Sequence, residues 1–250
     1  MKAKPMVKTL AALLGVLGCG SVVAAGWNEA GGEKDAAMLL TPDRERGIAV
    51  YEVCSACHLL EGWGLQDGTF PQLAGQHRNV LIKQLADIRA KNRDNPTMYP
   101  FALDEQIMAV AGFHKGEIDP AQLVADVTAY IAKLPMNPEN GKGPWNKLFP
   151  EFAEGKKLYD KNCVQCHGEK GEGHDEKFFP KVHGQHYAYM LRQFEWIRDG
   201  KRRNANPDMV EQIKNFTDKE MQMVINYVSR MPVPKEYLAP SKDYQNPDYD

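Results

Sequence analysis

The chain has 250 residues, with 31 basic and 33 acidic side chains and a formal net charge of −2. That balance gives no basic surface for a nucleic acid partner. Four of the five cysteines fall in two copies of one short motif, so no disulfide framework is implied.

The N-terminal segment has a basic start (Lys2, Lys4, Lys8), then an apolar stretch from Leu10 to Ala25 that closes on Val23-Ala24-Ala25. This pattern predicts a secretory signal peptide over 1–25, with Gly26 as the mature start, not a membrane span. Its removal takes three lysines and no acid, and moves the net charge from −2 to −5. Val16-Leu17-Gly18-Cys19 also resembles a lipoprotein box, which would make Cys19 a lipid anchor. On either route the expectation is a periplasmic protein, soluble or lipid-anchored. No later stretch is apolar enough to span a bilayer.

A helix is expected over Arg44 to Val53, leading into Cys54-Ser-Ala-Cys57-His58. C-x-x-C-H is the attachment signal of c-type haem. On a helical turn, positions i, i+3 and i+4 share a face, so both sulfurs and the imidazole meet one flat ligand. The two cysteines form thioethers and the histidine ligates iron. Apolar periodicity then predicts helices over Asn79 to Ala90, Asp104 to Phe113 and Ala121 to Leu134. Asn137 to Pro150, rich in Gly, Pro and Asn, reads as a linker. The second half repeats the order: a helix over Glu154 to Asn162, the motif Cys163-Val-Gln-Cys166-His167, and helices over Tyr187 to Asp199 and Asp218 to Met231. Thr217 with Glu220 forms a capping-box pattern. Residues 235–250 are polar and proline-containing and read as a flexible tail. Nothing suggests a sheet, so the fold class is all-α.

The halves are copies. Residues 54–93 align with 163–202 without a gap, at an offset of 109. Phe70-Pro71 matches Phe179-Pro180, Gly75-Gln76-His77 matches Gly184-Gln185-His186, and Gln84 matches Gln193. Upstream, Gly47 and Tyr51 match Gly155 and Tyr159 with one residue of slip. The expected division is a first domain at 26–136, the linker at 137–150 and a second domain at 151–234. Each unit has a small apolar core that the haem completes. A zinc ribbon is disfavoured because the C-x-x-C pairs lie far apart, and a thioredoxin-like site lacks its βαβ context.

With these elements in place, the chain resembles the dihaem cytochrome c4 family, two class I cytochrome c domains in tandem. The resemblance rests on the paired C-x-x-C-H motifs, Phe-Pro-x-Leu/Val-x-Gly-Gln-His, the Ile-Arg that follows and the closing Tyr helix, and covers roughly 41–234. It implies two covalent haem c groups held by Cys54, Cys57, Cys163 and Cys166, with His/Met axial ligation. His58 and His167 are the proximal ligands. Met209 stands where the family places its ligand methionine. Met98 mirrors it, since Asn95-Pro96-Thr97-Met98 repeats Asn206-Pro207-Asp208-Met209. The first domain carries a longer stretch before its closing helix, with Met108 and His114 as alternative ligands. The family further implies that Pro71 and Pro180 brace the proximal histidines through their carbonyls. His77 and His186 are read as either haem-edge contacts or helix starts, and His174 and His183 as surface residues. The basic clusters Arg89, Lys91, Arg93 and Arg198, Lys201, Arg202, Arg203 would pair with propionates, steer a partner, or simply cap helix ends.

The function this implies is electron carriage by Fe(II)/Fe(III) cycling, without bond chemistry. Partners implied by the resemblance are a cytochrome bc complex, a terminal oxidase or reductase, or a periplasmic dehydrogenase. One alternative is a cytochrome subunit of a larger periplasmic oxidoreductase, with Tyr99 to Pro120 as a docking surface. Another is a dihaem enzyme with an open first haem.

Overall fold

The computed structural model describes residues 27, 28 and 30–249. The expected signal peptide, its cleavage site and Cys19 lie outside the described residues. Ten α-helices form, at Gly32–Leu39 (α1), Arg44–His58 (α2), Arg78–Arg89 (α3), Asp104–Ala111 (α4), Pro120–Ile131 (α5), Pro150–Asn162 (α6), Val164–His167 (α7), Tyr187–Arg198 (α8), Pro207–Ile213 (α9) and Asp218–Val228 (α10). No strand forms among the described residues, and the all-α expectation holds.

Local chemistry sets the helix starts. Asp43 caps α2 by accepting from Arg46 N at 2.9 Å. Asp119 caps α5, whose first residue is Pro120; proline suits that position because its missing N–H would have no partner there. Thr217 and Glu220 complete the expected capping box at α10. Such caps stabilise a helix by about 1 kcal/mol each.

Each half is built on one helix crossing, α2 on α5 and α6 on α10. Gly47 and Gly155 sit at these crossings. A Cβ on Gly47 would lie 2.7 Å from Asp126 O, and one on Gly155 would overlap Met223 O. Beside each glycine a tyrosine pair packs: Tyr51 on Tyr130 at 5.5 Å and Tyr159 on Tyr227 at 5.7 Å between ring centroids. Two apolar cores follow. One includes Val50, Tyr51, Leu123 and Val127, and the other Tyr159, Phe194, Met221 and Val224.

The halves meet through reciprocal hydrogen bonds. Gln185 Nε2 donates to Gln72 O (2.9 Å) while Gln72 N donates to Gln185 Oε1 (3.0 Å). At the positions 109 residues apart, Gln76 Nε2 donates to Lys181 O (3.0 Å) and Lys181 N to Gln76 Oε1 (2.9 Å). His77 Nε2 reaches Glu172 O and His186 Nε2 reaches Trp63 O, both at 2.7 Å. Because 172 and 63 are also 109 apart, the contact has the self-complementary form of a two-fold interface.

Two expectations need correction. Residues 235–249 are not a loose tail: they return to the first domain, where Ala239 enters the core and Tyr244 and Tyr249 pack against it. Composition suggested flexibility because only a few apolar side chains are spread among polar ones, but those few are the ones that make the contact. His183 is not a surface residue; it is 1 % exposed, with Nδ1 2.8 Å from Lys170 O. His174 is exposed, as expected. The linker, helix-free up to Pro150, is tied to the second domain: Asn140 Nδ2 donates to Gln185 O and Ser229 O, and Trp145 N to Asn226 Oδ1.

Candidate haem sites

In the first domain α2 runs unbroken through the motif, so Cys54, Cys57 and His58 occupy successive turns of one helix. In the second, the chain bends at Cys163, and α7 carries Cys166 and His167. All four motif cysteines are half-buried and none is paired in a disulfide. Before attachment, burial pushes the thiols of Cys54 and Cys163 up to about 12.

The proximal histidines are held alike. His58 Nδ1 lies 3.0 Å from Pro71 O, and His167 Nδ1 lies 3.1 Å from Pro180 O. A carbonyl only accepts, so Nδ1 carries the hydrogen and Nε2 presents its lone pair. That is the tautomer a metal needs, with a partner that fixes the ring and raises its basicity. Burial lowers the pKa of both imidazoles, partly opposed by the proline carbonyls, which keeps each ring neutral.

A glycine stands behind each proline carbonyl. Gly64 (φ +64°) and Gly173 (φ +67°) adopt a left-handed backbone that side chains disfavour. A Cβ on Gly64 would overlap both Phe70 O and Pro71 O, and one on Gly173 would lie 2.5 Å from Pro180 O. These glycines also donate N–H to the carbonyls of His58 (3.0 Å) and His167 (2.9 Å). Sequence reasoning passed over them. The signal was available: Gly62-Trp63-Gly64 repeats as Gly171-Glu172-Gly173 at the same offset of 109.

On the distal side, Met209 lies on α9, half-buried against the second core. Met98 is half-buried and directly precedes a 3₁₀ turn at Tyr99–Ala102 that packs on α3, as α9 packs on α8. Met108 is buried in the first core, and α4 lies against α2. His114 is exposed, its backbone N–H bonded to Glu117.

The basic clusters divide by role. Arg89 pairs with Glu33 and Asp104, Arg198 with Asp199 and Asp218, and Arg203 with Asp94. Arg93 and Arg202 instead meet at the interface over two glutamines. Arg93 donates to Gln84 Oε1 (2.9 Å) and Gln193 Oε1 (3.1 Å); Arg202 donates to the same two oxygens at 2.9 and 3.1 Å. Burial, and then the neighbouring Arg93 charge, pull the Arg202 guanidinium down to about 9. Two cations packed together this way suit an anionic group such as a carboxylate. His77 and His186 are helix starts that serve the interface; each is the N-cap residue of α3 or α8.

The site therefore suits haem on the chemistry of its donors: two thiols and a neutral imidazole per motif, and a left-handed glycine behind each bracing carbonyl. Residues 44–135 match the family model described as cytochrome c, and residues 150–228 match that described as cytochrome c oxidase, cbb3-type, subunit III. Cytochrome c4 of Stutzerimonas stutzeri is 31 % identical over 74 % of this chain and 88 % of its own length. A thiosulfate dehydrogenase electron acceptor from S. stutzeri strain A1501 is 32 % identical over 71 % of this chain and 78 % of its own. The crystal structure of reduced recombinant cytochrome c4 from Pseudomonas stutzeri superposes with a TM-score of 0.58 at 27 % identity, covering 77 % of this chain and all of that one. Two repeated motifs, two matched domains and these relatives agree that the chain belongs to the cytochrome c4 family, as a dihaem electron-transfer cytochrome with two covalently bound haem c groups.

Proposed function

We infer that the protein shuttles single electrons between partners in the periplasm and performs no bond chemistry itself. The observation that carries this is the pairing of identical proximal arrangements, His58 on Pro71 and His167 on Pro180, each with a methionine-bearing turn at a matching place in the chain. When bound, haem supplies an iron that alternates between Fe(II) and Fe(III). The chain does the rest. Cys54, Cys57, Cys163 and Cys166 attach the groups, and His58 and His167 offer Nε2 to iron. Met98 and Met209 would offer thioether sulfur as the second protein ligand to each iron, which would leave no place for substrate. Met98 is preferred over Met108, a core residue, and over His114, which is exposed. Arg93 and Arg202, which meet where the domains join, would hold haem carboxylates there. A signal peptide over 1–25 delivers the chain, and domains at 26–136 and 151–234 each carry one haem.

A dedicated partner, with this chain as the cytochrome component of a larger oxidoreductase, is the second reading. It is favoured by the relative named as a thiosulfate dehydrogenase electron acceptor. Among the described residues no helix is long and apolar enough to cross a membrane, so the partner or a lipid anchor would supply any membrane contact.

The test is the ferric absorption spectrum of the holoprotein, read for the sulfur-to-iron charge-transfer band per haem. Two haems' worth of band supports both methionines. Met98→Ala and Met209→Ala should each remove half of it, and Met108→Ala none. A band of undiminished strength after Met98→Ala overturns the first-domain assignment and reopens an open or bis-His first haem.

A further inference from the structure

Residues 237–249 leave the second domain and lie along the first. Met136 N donates to Tyr237 O (2.7 Å) and Ala239 N to Met136 O (2.9 Å). The Tyr244 ring packs on Trp63, centroids 6.1 Å apart. Asn246, 3 % exposed, donates through Nδ2 to Leu60 O (2.7 Å) and lies 2.8 Å from Tyr130 Oη. Tyr249 Oη donates to Ile48 O at 2.8 Å, and its ring lies 6.4 Å from that of Tyr51. Asp248 pairs with Arg44 at 2.5 Å. The receiving groups belong to α2, to the loop behind His58 and to the closing helix of the first domain.

The internal repeat supplies a control within the molecule. At Ile48 and Trp63, which the tail touches, the second domain has the charged, exposed Lys156 and Glu172. Arg44, which pairs with Asp248 of the tail, has the aromatic Phe152 as its counterpart. The surface on which the tail rests thus differs between the two copies of the repeat at each of these positions.

We propose that residues 237–249 are a strap dedicated to the first haem site, which shields part of the outer face of α2 and Trp63 of the His58 loop and holds that haem at a higher reduction potential than it would have uncovered. Ferric haem carries one more positive charge than ferrous haem. Lowering the local dielectric therefore costs the ferric state more, and burial is a recognised lever on haem potential. The strap makes two otherwise similar sites unequal and so gives internal electron transfer a direction. Asn246 and Tyr249 are positioning residues here. The proposal rests on haem attachment at Cys54 and Cys57, which a haem count checks independently.

The test uses the full-length holoprotein with Asn246→Ala combined with Tyr249→Ala, a change that alters no charge. Haem content should stay at two per chain; a lower count would fault the haem assignment, and with it the proposal. Redox titration should show one midpoint falling, with the ferric-to-ferrous ratio raised about threefold, about 30 mV at 59 mV per tenfold, while the other stays fixed. Gly173→Ala, which disturbs the second site, identifies the fixed midpoint. Hydrogen exchange should quicken over 44–62 and not over 150–168. Tyr249→Phe alone, which keeps the ring, should keep most of the potential. Unchanged midpoints despite faster exchange would reduce the tail to a tether and overturn the proposal, as would equal shifts of both midpoints or a rise in the affected one.

Discussion

Replacing Gly173 by alanine tests how the second proximal histidine is held. Two costs combine. At φ +67° an alanine pays about 1–2 kcal/mol for the left-handed backbone. Its Cβ would also stand 2.5 Å from Pro180 O, and relieving such overpacking costs about 1–3 kcal/mol. Gly200 provides the reference, because it has φ +70° and nothing within 4 Å of a built Cβ. Gly200→Ala therefore carries only the first cost. Both variants gain about 0.4–1 kcal/mol from a less flexible unfolded chain, so that gain cancels between them. The difference should be about 1–3 kcal/mol, read by guanidinium denaturation followed at the haem band. A second readout separates this from general destabilisation. Two carbonyl oxygens must move, Phe179 O and Pro180 O, and the second is the acceptor for His167 Nδ1–H; if that bond lengthens, the imidazole becomes less basic, the ferric state loses support and the second haem's potential rises. Gly64→Ala should do the same to the first haem. Equal costs at Gly173 and Gly200, or a lost stability with an unmoved potential, would refute the reasoning.

Asp126 is fully buried and accepts from Arg46 Nε at 2.8 Å and Asp43 N at 2.6 Å. Asp126→Ala should cost about 2–3 kcal/mol in denaturant, below the usual figure for a broken buried pair because Arg46 is one-third exposed. Gln185→Ala leaves the backbone of buried Gln72 without partners on both N–H and C=O and should lower the unfolding free energy by about 1–3 kcal/mol. Stability should also fall with acid. His186 accepts Gly141 N–H on Nδ1 at 3.0 Å and donates from Nε2 to Trp63 O, a pattern only the neutral ring can make. Burial lowers its pKa below the ordinary 6.5, as it does for His77 and His183. The unfolded chain thus takes up protons first. The contribution is complete above pH 6.5 and is lost as pH falls below it toward the folded-state value. Denaturation midpoints measured from pH 7.5 down to 5.5 should decline, and His186→Gln should flatten part of that decline.

Much of the architecture was legible from periodicity and repetition. The long helices fall within a few residues of their expected spans, and Thr217 with Glu220 marks the start of α10 as its spacing indicates. The haem motifs were legible because their chemistry is local: three residues within a stretch of five carry it. What escaped was short or distant. The seven-residue α9 is too brief to show a period, although Asn206-Pro207 announces it with a cap and a first-turn proline. The fate of residues 235–249 depends on partners roughly 180 to 200 positions earlier, such as Leu60 and Ile48, which no window along the chain can see. His183 resembles any loop histidine until Lys170 O is known to face it. The repeat was the best guide to such contacts, for it reports on pairs of positions rather than on windows.

Gln76 and Gln185 each bond the backbone of the opposite half, and His77 and His186 do likewise. Each half thus carries both the lock and the key, the form that a contact between two free copies of one unit takes. The trailing end of the second half, resting on the first, departs from that equality.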